Sequence, residues 1–458
     1  PRFRGGKKGQ GAASLNRLLS GRLRSFWSGD WMQLWLEVET NATKTDKNPV
    51  VDSTTSEATM SKQIVNVIDQ CLEHNAVSKA LGRVSRPLRF ASGDDVPTRL
   101  QEMFPHPLGP AAAQQPSVDA SPALVMELAG FILKELQSLP AMCGAGANGA
   151  FFEHLKLHAH IHDGLGKLAE VLAHLVAGHA PLEAISCLRS GRAHPTLKPD
   201  SDINIRPIVS PSPHWRAAMK GWSTMCKDDV LVAVGSAQYG CGRPGGAIAL
   251  RHCVEAALLN DSELVLGVVD VRNMHGSLGV DNIEEQVRTL LPRMWPLVAP
   301  WIRCSRTHVF KDSGGATHAI KTYGPLDQGG PESSPLACVA AVPYYEKLGA
   351  NRAAYQDDGY FLLKPAEVPQ WAADIEGALQ AIGCTANYGK SGIWSRDPSW
   401  TAPAGCCISR LVSMPLVMKQ PMSVLAQSLD PSFDIAASTM VQSFILERTR
   451  LHARLKAL

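Results

Sequence analysis

Residues 352–363 read RAAYQDDGYFLL, two adjacent carboxylates, Asp357 and Asp358, set between short apolar runs. Ala353, Ala354 and Tyr355 on one side and residues 360–363 on the other predict two strands. The Asp-Asp-Gly between them is turn chemistry. For such a tripeptide alone the ordinary reading is a solvated hairpin tip. Two carboxylates at a strand end are also hard oxygen ligands for magnesium. The rest of the chain decides between these readings.

The strongest strand pattern lies upstream, in LVLGVVDVRNMHGSLG (residues 264–279). Its continuous β-branched run predicts a buried central strand. Asp270 ends that run, where a carboxylate is costly unless it is solvated, paired or bound to metal. Taken alone it also reads as a plain strand-end cap. Asp270 precedes Asp357 by 87 residues, enough for helices and a loop before an antiparallel return. Neighbouring strands lie about 4.8 Å apart, so carboxylates at two adjacent strand ends can share a pair of cations.

With 458 residues, 45% of them hydrophobic and 19% charged, the chain has the composition of a globular protein with a large core. A net charge of +3 says little, but its distribution says more. Arg2, Arg4, Lys7, Lys8, Arg17, Arg22 and Arg24 precede the first acid, Asp30, and such an arm suits a phosphate backbone or simply solvent. Eleven cysteines without a Cys-x-x-Cys pair indicate thiols in a reducing compartment. No run reaches transmembrane length and no signal peptide is visible. Beginning at Pro1, the chain reads as a piece of a longer product.

Helical spacing is expected in the N-terminal segments, broken by polar linkers at residues 39–62 and 109–123. ALVMELAGFILKELQSL (residues 123–139) predicts an amphipathic helix capped near Ser121 and stopped by Pro140. GAGANG (residues 144–149) matches a dinucleotide fingerprint, yet it follows a helix instead of a strand and reads as a turn before a helix. His154, His158, His160 and His162 lack a completing carboxylate or cysteine and carry no metal assignment. From Gly405 the pattern turns mostly helical.

Further segments fall into an order: LKPDSDINIRPIVSP (residues 197–211), AQYGCGRPGGAIALRHCVEA (237–256), the Asp270 strand, GPLDQGGPESSPLACVAAVPYYEKL (324–348), the Asp357 hairpin, and AIGCTANYGKSGIW (381–394). This succession resembles the reverse transcriptases of non-LTR, LINE-like retrotransposons of protist and algal type, over residues 124–394 and more weakly back to Asn75. GAGANGAFFEHLK is similar to the family's glycine-rich turn before its first fingers helix.

The resemblance implies an α+β right-hand polymerase. A basic helical extension (1–123) would precede fingers (124–260), a palm of antiparallel sheet and helices (261–404) and a thumb remnant (405–458). It implies RNA-directed DNA synthesis from a DNA primer 3′-end on an RNA template, with deoxynucleoside triphosphates, two Mg2+ ions, nuclear or otherwise intracellular action, and no membrane. Asp270 and Asp357 would hold the metals, with Asp358 a supporting carboxylate. Lys198 and Arg206 would meet the triphosphate, Lys390 the departing pyrophosphate, and Gln328 and Gly329 the nucleotide and template floor. His275 stands where the family carries a large aromatic that blocks a ribose 2′-hydroxyl. QGGPESSP also holds one residue more than the family's usual spacing, which would shift the following helix start. An RNA-templated RNA polymerase, or a decayed copy that only binds nucleic acid, are the rival readings.

Overall fold

A computed structural model describes residues 90–104, 118–140, 143–198, 204–312, 314–348, 351–397, 399–403, 406 and 408. All of them belong to one compact unit, residues 64–458. The expected N-terminal helices up to residue 89 and almost all of the expected thumb lie outside the described residues.

The described chain is mixed α+β, with two four-stranded sheets. In the first, β1 (Gly191–Leu197) and β2 (Ile205–Pro211) form a hairpin, and β4 (Arg306–Lys311) and β5 (Thr317–Thr322) complete the order β2-β1-β4-β5. In the second, β3 (Val265–Asp270), β6 (Arg352–Tyr355), β7 (Asp358–Leu363) and β8 (Gly392–Trp394) are ordered β6-β7-β3-β8. The apolar run at residues 264–270 is thus an internal strand, as its patterning predicts. Its expected return partner is antiparallel β7. The β4–β5 hairpin falls between the aspartates in sequence but joins the sheet of β1 and β2, so residues 261–404 do not form one sheet.

Both faces of the second sheet are covered. Val265, Val269, Phe361 and Ile393 belong to the main core with Trp371 and Ile375 of the helix Val368–Gln380. A Cβ on Gly267 would lie 2.5 Å from the Trp371 ring, so only glycine lets that indole rest on β3. On the other face Leu266, Ala353 and Tyr360 pack with Leu250, Val254 and Leu258 of the helix Gly246–Asn260. Strand alternation gives Asp270 and Asp358 this second face, at the end of the strands beyond Tyr360.

Local signals elsewhere act as read. The helix Pro122–Gln137 starts where Ser121 accepts a hydrogen bond from the Leu124 amide, and Pro occupies its first turn. Residues 144–149 make a turn, with Gly149 N donating to Gly146 O, before the helix Phe152–Lys156. His154 Nδ1 accepts from the Phe151 amide, which makes it a helix cap. Among the described residues no cysteine forms a disulfide.

Buried charge ties the first sheet to the segment that follows β5. Arg306 on β4 donates to Asp327 Oδ1 at 2.7 Å, and His308 Nε2 lies 3.1 Å from the same oxygen. Burial would raise the Asp327 pKa, but Arg306 and His308 hold the carboxyl well below the usual carboxylate range. Arg189 is also buried, lies against both the Trp215 and Trp301 rings, and donates to Pro325 O at 2.9 Å. These contacts hold the turn that leads into Gln328.

Candidate active site

Asp270 and Asp358 are direct cross-strand partners, the last pair of the β3–β7 ladder. Partners of this kind place their side chains on one face with Cβ atoms about 5 Å apart. The turn differs from the expected Asp-Asp-Gly. Tyr355 pairs with Asp358, so the two-residue loop is Gln356–Asp357, and Asp358 and Gly359 already belong to β7. Gln356 takes φ +56°, at the loop position that usually favours glycine. A non-glycine residue in that region costs about 1 kcal/mol or more and needs support from its surroundings.

The expected carboxylate trio therefore converges, with Asp358 in register with Asp270 and Asp357 on the loop itself. Asp358 carries the clearest electrostatic sign. Burial, followed by the charges of Asp357 and Asp270, pushes its pKa up to about 7, against a smaller lowering by Lys390.

Cations gather at the same strand end. Lys390 Nζ is 3.9 Å from Asp270 Oδ1. Lys198 continues the β1–β2 ladder, its amide donating to Asn204 O at 2.9 Å. Burial and then Lys390 lower the Lys198 pKa, Arg206 adds to the lowering, and Asp270 opposes it. Arg206 sits on β2 opposite Thr196. Lys198 and Arg206 of one hairpin thus share an electrostatic neighbourhood with Lys390 and Asp270, which lie far from them in sequence.

His275 lies in the short helix Met274–Ser277, immediately after β3. Burial lowers its pKa, while Asp357 and then Asp327 act in the opposite direction. Gln328 and Gly329 take a different position, along the edge of β2. Gln328 O accepts from Val209 N at 2.8 Å, and Gly329 has φ +124° with Val209 O 2.4 Å from where a Cβ would stand. The following helix begins at Ser333 with Glu332 as its N-cap residue. The Glu332 side chain makes no capping bond. It accepts from Trp215 Nε1 at 2.9 Å.

Two residues without an assignment from sequence reading complete the site. Asn387 Nδ2 donates to Asp270 Oδ2 at 2.7 Å, and Asn387 N donates to Asp270 O at 2.8 Å. Ser391 Oγ accepts from the Asp270 amide at 3.1 Å. They belong to the segment that carries Lys390, so the Asn-x-x-Lys-Ser spacing was the available signal. The 387–391 turn fixes both the backbone and the carboxylate of Asp270.

The donor set suits a hard divalent cation. Among the described residues, no three His, Cys, Asp or Glu side chains close into a ligand set by themselves. Magnesium at phosphate-handling sites needs only one or two carboxylates, with water and substrate phosphate completing its shell. The raised Asp358 pKa reflects first its burial and then the negative charges of Asp357 and Asp270, which Lys390 offsets only in part.

That charge has a consequence for stability. A carboxyl whose folded pKa exceeds its unfolded value contributes stability that is complete below about pH 4 and is lost as pH rises through 7. In chelator at pH 8, Asp358→Asn is therefore expected to stabilise the protein by roughly 1–3 kcal/mol, discounted for partial exposure, and by almost nothing at pH 4. Thermal melts at both pH values check this. A pH-independent difference would mean that the carboxylates do not repel each other.

No protein-family model matches the chain, and no curated protein matches it. Among the described residues, no helix is long and apolar enough to cross a membrane.

Proposed function

We propose that the chain is a template-directed nucleotidyltransferase of the reverse-transcriptase kind. It would extend a DNA primer 3′-end on an RNA template with deoxynucleoside triphosphates. The observation that carries this reading is the union, at the end of β3, of three carboxylates (Asp270, Asp357, Asp358) with Lys198 and Arg206 of the β1–β2 hairpin and Lys390 of a distant turn. Phosphoryl transfer makes few covalent demands on the protein and depends mainly on positioning and on neutralising charge. In this reading the β3–β7 sheet is the palm and the β1–β2 hairpin belongs to the fingers.

Asp270 and Asp357 are the assigned magnesium ligands. Magnesium, when bound, lowers the pKa of the primer hydroxyl and neutralises charge on the triphosphate. Asp358 lends a further negative charge beside them. Asn387 holds the Asp270 carboxylate, and Ser391 holds its backbone amide. Arg206 offers a planar fork to phosphate oxygens, Lys198 adds a point charge, and Lys390 carries a proton at Nζ near the leaving pyrophosphate.

Primer extension by the purified protein on poly(A)/oligo(dT), with dTTP and magnesium, tests the proposal. Extension that stops with chelator supports it. Primer–template binding without extension would leave a nucleic-acid-binding remnant, and preferential use of UTP would make the protein an RNA polymerase.

His275 keeps the sugar question open to experiment. It lies in the electrostatic reach of Asp357, and its ring is smaller and more polar than the aromatic that the family carries there. His275→Phe is expected to raise the preference for dTTP over UTP roughly tenfold, because a larger ring fills the space that a 2′-hydroxyl needs. An unchanged ratio of the two kcat/KM values would remove His275 from the sugar gate.

A further inference from the structure

Gln238 lies in the segment that borders β6. The backbone there already pairs with the strand, since Ala354 N donates to Ala237 O and Tyr239 N donates to Ala354 O, both at 2.8 Å. That pairing covers the strand edge with main chain alone and requires no particular side chain at position 238. The side chain nevertheless has specific partners. It is 2% exposed, and its Oε1 accepts from Gly240 N and from Gln356 N, each at 2.9 Å. Its Nε2 donates to Gln356 O at 3.3 Å.

One buried amide thus binds both main-chain polar groups of Gln356, the residue held at φ +56° immediately before Asp357. Further contacts close the same tip. Gln356 Nε2 donates to Gly240 O at 3.3 Å, and Tyr345 OH donates to Gln356 O at 2.9 Å. A Cβ on Gly240 would stand 2.4 Å from Gln356 N, so glycine there lets the loop approach closely enough for the amide to reach. A left-handed backbone at a non-glycine residue persists only where its surroundings over-determine it, and this set of bonds does so.

We propose that Gln238 is a positioning residue for nucleotidyl transfer. Its amide holds the Gln356–Asp357 loop in the single conformation that sets Asp357 and Asp358 against Asp270. The inference rests on the polymerase reading for its catalytic part. The clamp itself is a matter of backbone geometry and can be tested separately.

Gln238→Met keeps the length and volume of the side chain and removes both the donor and the acceptor. Gln238→Glu keeps the acceptor for the two amides and loses the Nε2 donor. For Gln238→Met, kcat for primer extension is expected to fall about 10- to 100-fold, the range typical of residues that orient a metal ligand. Nucleotide KM and primer–template affinity should stay within about twofold of wild type, because the variant misplaces carboxylates and leaves the binding cations alone. Gln238→Glu should fall between wild type and Gln238→Met.

Amide hydrogen exchange gives the readout that does not depend on catalysis. Residues 355–358 should exchange faster in Gln238→Met, while β3 keeps its protection. Wild-type kcat or unchanged exchange at the tip in Gln238→Met overturns the proposal, as does a loss of kcat no larger than the loss of folded protein. If Gln238→Met does not fold, Gln238→Glu decides by the same two measurements. A wild type that extends no primer defeats the polymerase reading, and tip exchange then decides the clamp alone.

Discussion

Asp270→Asn should lower primer extension on the order of 10³-fold or more while leaving primer–template affinity within about twofold. Asparagine preserves the shape of the side chain and still accepts from Asn387 Nδ2, so the 387–391 turn keeps its anchor. The formal negative charge is lost, at the one position where β3 contributes a carboxylate to the site. On the proposed reading, template binding would rest on many basic contacts distributed over a surface, which the loss of one acid would not weaken. Lys390 loses its partner at 3.9 Å, a half-exposed pair worth little by itself. Rate and affinity measured on the same preparation check the expectation. Full activity in the variant would rule out the β3 strand end as the site of chemistry.

The second large effect concerns the fold. Gly329→Ala should cost about 3 kcal/mol or more, combining backbone strain with overpacking. At φ +124° any side chain is strained, and here the new Cβ would meet Val209 O at 2.4 Å. That contact is with main chain, and Val209 N is already bound to Gln328 O, so neither segment can retreat without breaking a hydrogen bond. Gly130→Ala is the matched control, with the opposite sign. Gly130 lies inside the exposed face of the helix Pro122–Gln137 with nothing within 4 Å of its Cβ position. Alanine there should stabilise by roughly 0.5–1 kcal/mol. Urea midpoints at unchanged slope measure both. A Gly329→Ala protein as stable as wild type would mean that this loop does not lie against β2.

The amino-acid sequence by itself determined the local elements. The β-branched run before Asp270 read as a buried central strand, and Ser121 with Pro122 marked a helix start. The carboxylates at a strand end and on a hairpin were legible for the same reason, since periodicity and turn chemistry act within a few residues. Tertiary structure decided what those elements meet. The Asp-Asp-Gly tripeptide suggested a turn that begins one residue too late. The pairing of Asp270 with Asp358 sets the register and draws Asp358 into β7, leaving a loop that needs Gln238 to hold Gln356. The hairpin β4–β5 joined β1 instead of β3 through the pairing of Arg192 with Val309, a contact between distant segments. Asn387 is 117 residues from the carboxylate that it orients, and Gln238 is 118 residues from the loop that it clamps. No local pattern encodes such pairs, because a hydrogen bond between distant segments exists only after packing has brought them within about 3 Å.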